Sequence, residues 1–431
     1  MKNITVLISG ASIAGPALAY WLNRYGHTVT VVEKAPGLRA GGQAVDFKGV
    51  THRTVLDRMG ILEEVRRRQT GGTDQVIVDA NGRRLTVIPG EFSGGEIEIL
   101  RGDLAALLYE RTAERCEYVF GDSITSLTET AGGVHVTFEH GAPRTFDLVV
   151  GADGIHSNVR RLAFGPESEY VHFLGYHYAL ADLDLDLDLG FDSVMYNEPG
   201  RLASFGGPKA PAFFVFASEQ LDYDRYDVDQ QKRILADAYR GAGWLIPQLM
   251  AGVPDARGLY LDSLSRVRID RYARGRVVLL GDAAYGNTLG GFGTGLAIVG
   301  AYVLAGELAA ADGDHRVAFQ KYDEAFRGYA RVAGQGSAGP FLAPSTRGRI
   351  RMRNWMFKRG FLLRAMLRLT DRFATDIELK DYTSLVRSFD DAETRDGEPG
   401  ACATARLSDE RATARTASPP QPKTVPVPNG D

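Results

Sequence analysis

The sequence predicts an α/β fold in which a mostly antiparallel β-sheet is inserted into a mainly parallel one. Three observations carry this. A strand, a glycine-rich loop, a helix and a second strand follow one another over residues 4–36. Alternating strand patterns take over from 171 to 267. An apolar strand ending in "LLGDAA" (279–284) then returns to the first texture. At 431 residues the chain also exceeds one ordinary core, so two packed domains are expected.

Each element follows from a local pattern. "ITVLIS" (4–9) is a short apolar strand, and "GASIAGPALAYWLNRYG" (10–26) places apolar residues at helical spacing until Gly26 closes the helix. "HTVTVVEKAP" is the second strand, with Glu33 near its carboxyl end, which completes a βαβ unit and favours a parallel sheet. Residues 51–68 and 102–115 read as helices. Strand patterns alternate through 117–150 and end in "LVVGADGIHSNVRR" (148–161). In "YALADLDLDLDLGFD" (178–192) apolar and acidic residues alternate, as on a half-buried strand with a solvated acidic face. "SVMYNEPGRLASFGG" and "KAPAFFVFASE" are further strands joined by Gly/Pro turns, and 228–250 is mainly helical. Residues 347–374 form a basic amphipathic helix with a break expected at Gly360. The parallel part therefore comprises 1–70, 98–170 and 268–330, and the inserted part 71–97 and 171–267. A C-terminal helical region covers 331–390, and a Pro-, Ala- and Thr-rich tail, expected to be disordered, covers 391–431.

Composition narrows the function. A net charge of −4 gives no global attraction to nucleic acid. The two cysteines, Cys116 and Cys402, exclude a disulfide framework or a Cys-based zinc site, and a reducing compartment is expected. No signal peptide is read at the N-terminus, and no apolar run reaches the ~18 residues of a membrane span. A soluble, cytoplasmic protein is expected. The eight histidines show no metal-ligand spacing, so no metal site is expected.

Glycine-rich loops carry the chemistry. In "GASIAG", Gly10 permits a tight turn and Gly15 lets the helix pack on the sheet, while Ser12 stands where a middle glycine is usual. Ile13 and Ala14 complete the loop. Glu33, 23 residues beyond Gly10, is placed to accept hydrogen bonds from ribose hydroxyls, beside Lys34. An acid there disfavours a 2′-phosphate, so a Rossmann-like site for FAD or NAD is predicted. "GADG" (151–154) also follows a strand; by itself it reads as a strand-to-helix turn. In "LLGDAAYGNTLGGFGTG" (279–295), Asp282 ends a strand and a glycine-rich turn opens a helix whose free N–H groups face an electron-rich group. Two such sites, one for a nucleotide and one for a distant reactive ring, suit opposite ends of one FAD.

This trio resembles the FAD-dependent aromatic monooxygenases typified by p-hydroxybenzoate hydroxylase. "GGQAVDFKG" (41–49) and the helix to Gly60 are similar to their tetracycline-inactivating and aromatic-polyketide branch. The resemblance covers about 4–375. It implies that Gly10, Ser12, Ile13, Ala14 and Gly15 face the pyrophosphate and Glu33 and Lys34 the adenosine. It places Gly42 and Arg101 along the cofactor, Asp282 at a ribityl or phosphate oxygen, and Gly291 and Gly293 at the isoalloxazine pyrimidine edge. Asp153 would serve structure and NAD(P)H access. Two departures stand out: relatives carry His where Tyr285 stands and a proline before the GxG, where the nearest residue here is Thr288.

The implied reaction is hydroxylation of an aromatic or polyketide-type small molecule. NADPH or NADH reduces the flavin, and O2 adds at C4a to give the hydroperoxide that transfers oxygen. No side-chain catalyst is assigned. Pocket candidates are Gln43, Asp46, Phe214, Phe216 and Thr288; Asp46 reads equally as a surface turn residue, and the phenylalanines, with Phe213, equally as sheet core. The arginines of 347–374 fit a bridge between domains better than a membrane surface. No nucleic acid partner and no membrane span are expected, and a monomer or homodimer is. The competing readings are a reductase, halogenase or cyclase of the same fold, and a non-catalytic FAD-binding protein.

Overall fold

The computed structural model describes residues 3–38, 42–90, 97–183, 193–206, 212–333, 336–359 and 377–386. All fall within one compact unit, Met1–Arg387. Two large sheets organise it. The first has six strands in the order Ala273–Arg274, Val277–Leu279, Leu148–Gly151, Thr5–Ser9, Thr28–Glu33 and Glu117–Phe120. All neighbours are parallel except the first pair. These strands are short and almost wholly apolar because helices and a small three-stranded sheet cover them. The helix Gly293–Ala310 packs on Ala14–Arg24, with Trp21 against Tyr302 at 4.9 Å between ring centroids.

The helix Gly293–Ala310 corrects the reading that no segment is long and apolar enough for a membrane. Its 18 residues are, but 83% of it is buried inside the protein, as befits a core helix.

The second sheet has seven strands in the order Leu259–Val267, Val171–Ala181, Ala212–Ala217, Arg201–Phe205, Val194–Glu198, Gln75–Val78 and Arg84–Ile88. Only the pair Val194–Glu198 and Gln75–Val78 is parallel. The acidic–apolar repeat beyond Leu183 lies outside the described residues, as do 360–376 and the tail. Two expected helices are shorter than read. Residues 51–68 split into Gly49–Arg58 and Leu62–Arg67 because Gly60 turns with φ +67°. Residues 228–250 split into Val228–Ala238 and Ile246–Gly252.

Strand alternation sorts the aromatic side chains. Phe214 and Phe216 lie on the face beneath the helix Val228–Ala238 and its C-terminal Tyr239, with ring centroids 5.2 and 6.1 Å from Tyr239. The Tyr239 hydroxyl donates to the Val215 and Leu202 carbonyls, which locks that helix to the sheet. Phe213, Val215, Tyr178 and Leu264 share the opposite face, where Leu289 packs on them. Of the two open readings of Phe214 and Phe216, their burial favours sheet core over substrate pocket, since the period of two sends them to the far side.

The basic helix is described over Arg347–Phe357. Buried Arg353 donates to the Asn197 side chain at 2.7 Å and to the Phe341 carbonyl at 2.9 Å, tying the helix to the seven-stranded sheet. Residues 377–386 instead pack on Gly293–Ala310, where the Tyr382 hydroxyl donates to Glu307 at 2.6 Å.

Phe214→Ala is expected to cost about 3–5 kcal/mol of folding stability while leaving ligand-stimulated flavin reduction unchanged in protein that remains folded. Denaturant titration and stopped-flow absorbance read the two effects separately.

Candidate functional site

Three loops leave the carboxyl edge of the parallel sheet and meet. Gly10 adopts φ +110°, and its N–H donates to the Val32 carbonyl at 2.8 Å. A Cβ on Gly10 would overlap the Ala152 carbonyl, and one on Gly15 would overlap the Gly10 carbonyl. Neither position has room for a side chain. Ile13 and Ala14, both buried, begin the helix that starts at the loop. Glu33 ends its strand here and accepts the Ala11 N–H at 2.8 Å and the Ala35 N–H at 2.9 Å. Each carboxylate oxygen keeps a lone pair for a ribose hydroxyl. Lys34 is drawn aside to Tyr226, its Nζ 2.9 Å from the hydroxyl and 4.6 Å from the ring centroid.

Ser12 explains its own departure from glycine. Its Oγ accepts from Arg101 Nη2 at 3.1 Å and Nε at 3.3 Å, so the first loop holds the arginine that opens the helix Arg101–Glu110. The Arg101 N–H donates to the Gln43 carbonyl at 3.1 Å, and Gly42 (φ +86°) lies against the Arg101 side chain. Gly41 lies outside the described residues.

Asp282 follows Gly281, which adopts φ +64°. Its side chain is open to solvent along the cleft, although protein crowds around it. This crowding pushes its pKa up, against the opposing charge of Arg101. Gly293 begins the 18-residue helix beside it: a Cβ there would sit 3.4 Å from Asp282 Oδ1. Gly291 turns with φ +79°. Ser12 holds Arg101, the Arg101 charge acts on Asp282, and Asp282 stands beside Gly293, so a chain of contacts leads from the nucleotide loop to a helix N-terminus. Side-chain-free backbone at both ends, an open carboxylate and a guanidinium between them fit a pyrophosphate linked through a polyol to a ring.

The "GADG" loop is held from within. Asp153, half-buried and pushed up in pKa by the protein crowded around it, accepts from the Ser157 hydroxyl and from the Val159 N–H at 3.0 Å. Its described bonds are structural. Beyond it, a network legible in no motif spans both sheets: His156 bridges Glu167 (2.9 Å) and Asp262 (3.1 Å), and the Tyr260 hydroxyl donates to Asp262 at 2.7 Å.

The two departures also gain physical reasons. Tyr285 points away from the cleft into the core, its ring 5.0 Å from Phe326 and 5.4 Å from Tyr272, and Gly300 leaves room for its hydroxyl. Thr288 donates its N–H to the Ser265 carbonyl at 3.0 Å, a bond that proline lacks the hydrogen to make. Leu289 then turns at φ +57°, outside the range of proline. The Thr288 hydroxyl accepts from the Ser265 N–H at 3.3 Å, and Asp46 is ion-paired to Lys48 at 2.7 Å.

Glycine loops meeting at the carboxyl edge of a parallel sheet, beside a second, mostly antiparallel sheet, fit an FAD-dependent oxidoreductase. The model of the FAD binding domain family matches residues 3–320, so the chain belongs to that family, and it is a flavin-dependent monooxygenase. It is 36% identical to a flavin-dependent monooxygenase of Legionella longbeachae over 76% of this chain and 86% of the relative. It is 42% identical to an uncharacterized protein of Mycobacterium tuberculosis, over 75% of this chain and 90% of that one. Among solved structures, the tetracycline destructase Tet(51) superposes with a TM-score of 0.74 at 31% identity, covering 89% of this chain and 100% of that chain.

Gly10→Ala is expected to abolish FAD retention, because its Cβ collides with backbone rather than a movable side chain; the flavin absorbance of purified protein measures this. The His156 bridge predicts a pH-dependent stability. Burial alone would lower the His156 pKa, but its bonds to Asp262 and Glu167 prevail and raise it. Its contribution is therefore complete below about pH 6.5 and lost as pH rises through the raised value. Asp262 and Glu167, held low despite burial, lose theirs on acidification through their lowered values. The gap in Tm between wild type and His156→Gln should shrink as pH rises from about 6 to about 9; a constant gap would count against the bridge.

Proposed function

We propose that this monooxygenase is a single-component enzyme that hydroxylates a fused-ring phenolic or enolic small molecule of polyketide type, with NAD(P)H as reductant and O2 as oxidant. The observation that carries the substrate class is the contact between the GxG loop and the aromatic sheet face. Leu289 of that loop packs on the face carrying Tyr178, Phe213, Val215 and Leu264. Phe213 and Leu289, partly buried members of that cluster, are apolar where the loop meets the sheet, which suits a flat polycyclic ligand. The likeness to a tetracycline destructase supports the same class.

The bound FAD supplies the redox and oxygen-transfer chemistry. The residues of this chain hold and surround it. Backbone N–H groups at 10–15 meet the pyrophosphate at the start of the helix Ala14–Arg24, and Glu33 accepts from the ribose hydroxyls. Arg101 donates to phosphate or ribityl oxygens, and Asp282 accepts from the ribityl chain. N–H groups at Gly291 to Gly293, backed by the positive end of an 18-residue helix, would donate to the pyrimidine edge of the ring. Gly42 and Gln43, which adjoin Arg101, would stand along the cofactor. Leu289, Phe292 and the sheet face exclude water, which keeps each polar contact strong.

Anaerobic mixing of the yellow holoenzyme with NADPH or NADH should show slow flavin reduction alone and acceleration of about tenfold or more by a tetracycline or a related polycyclic phenol, a barrier change of about 1.4 kcal/mol. Admitting air should then give a product heavier by one oxygen atom. If no polycyclic ligand accelerates reduction while simple phenols do, the substrate class is wrong. If nothing accelerates it and no product is oxygenated, the hydroxylase reading fails.

A further inference from the structure

A side chain that no motif singles out stands against the GxG loop. Lys48, just beyond the strand Ala44–Phe47, holds its ammonium 5.5 Å from the centroid of the Phe292 ring. A Cβ on Gly291 would sit 3.5 Å from it. Asp46 Oδ2 pairs with it at 2.7 Å, and the two side chains are only 13% and 17% exposed. This pair is therefore poorly screened by solvent.

Lys48 is a cation of this corner, with a histidine and two acidic residues around it. His52 lies behind, its Nδ1 accepting the Lys48 N–H at 3.0 Å and its Nε2 meeting the Tyr329 hydroxyl at 3.0 Å. Burial, and then the Lys48 charge, push His52 down to about 4, so it is neutral at physiological pH. Glu98 faces Asp46 across the two-stranded ladder; burial foremost, with the Glu98 charge, pushes the Asp46 pKa up against the pull of Lys48. The corner is a lysine ammonium turned toward the glycine loop, with a carboxylate partly offsetting it from behind.

We propose that Lys48 and Asp46 set the reduction potential of the bound FAD, Lys48 raising it and Asp46 limiting the rise. The inference rests on the placement of the flavin pyrimidine edge at 291–293 given above, not on the identity of the substrate. NAD(P)H transfers a hydride, two electrons and one proton, to the neutral oxidised ring system and leaves as NAD(P)+. The reduced cofactor therefore carries one more negative charge than the oxidised one. A poorly screened cation close to the pyrimidine edge stabilises the reduced form, and a carboxylate close to that cation works against it.

The test is the midpoint potential of substrate-free holoenzyme, titrated against a reference dye, for Lys48→Met, Asp46→Asn and Lys48→Arg. Lys48→Met should shift the equilibrium toward oxidised FAD by about tenfold, equivalent to about 30 mV for a two-electron couple. Asp46→Asn should shift it the opposite way, and Lys48→Arg should stay near wild type. A structural role would not reverse sign between the first two variants. If Lys48→Met loses FAD, the Asp46→Asn shift decides alone: upward supports the proposal, while no shift or a downward one overturns it. With both variants loaded, shifts of the same sign, or none, overturn it. Gly291→Ala separates the two failures. A visible flavin spectrum and FAD affinity unchanged by Gly291→Ala refute the ring placement and the proposal with it. A changed spectrum, with unmoved potentials in the Lys48 and Asp46 variants, refutes the tuning alone.

Discussion

The site depends on one close backbone approach. The carbonyl of Ala152 occupies the space where Gly10 would carry a side chain, and the carbonyl of Gly10 occupies the corresponding space beside Gly15. These contacts set the nucleotide loop, the "GADG" loop and the first helix in one mutual position. The ladder continues the same constraint: the Ala152 N–H donates to Ser9 and the Leu280 N–H to Gly151, each within 2.9 Å. Three loops far apart in the chain thereby emerge side by side at one sheet edge, where helix N-termini and open carboxylates can act on one elongated ligand.

Charge is then distributed along that edge with few spare partners. Ser12 holds Arg101, and Arg101 offsets the crowded carboxylate of Asp282. Lys48 does the same for Asp46 at the ring end. A charge taken out of water without such a partner would neutralise instead. The arginine and lysine therefore work against the rise in pKa that crowding gives both carboxylates.

The seven-stranded sheet divides its aromatic residues between two tasks. Phe214 and Phe216 anchor the helix Val228–Ala238 through Tyr239, while Phe213 and Tyr178 face the cofactor half with Leu289. Rigidity of the roof comes from the first set, and the floor it presents comes from the second. The His156 bridge to Asp262 joins the edge strand of this roof to the "GADG" loop, so the two sheets are linked by charge as well as by packing.

Arg101 entered only through the family resemblance; the sequence by itself determined the βαβ start, the two glycine loops with Glu33 and Asp282, and the change from parallel to antiparallel strands. Each is written within ten to twenty residues, as a turn that only glycine allows or a period of two against 3.6. The same local rules ran one helix through 51–68 and missed that it breaks at Gly60 into Gly49–Arg58 and Leu62–Arg67. Only the tertiary structure decided which face of the strand Ala212–Ala217 meets the cofactor half, since alternation separates Phe213 from Phe214 without saying which layer lies on either side. It alone turned Tyr285 into the core, made the Thr288 N–H indispensable to Ser265, and brought Lys48 to Gly291 and His156 to Asp262. These partners are separated by 23 to 243 residues, and a pairing across that distance is set by how whole layers pack, a constraint that no short stretch of sequence contains.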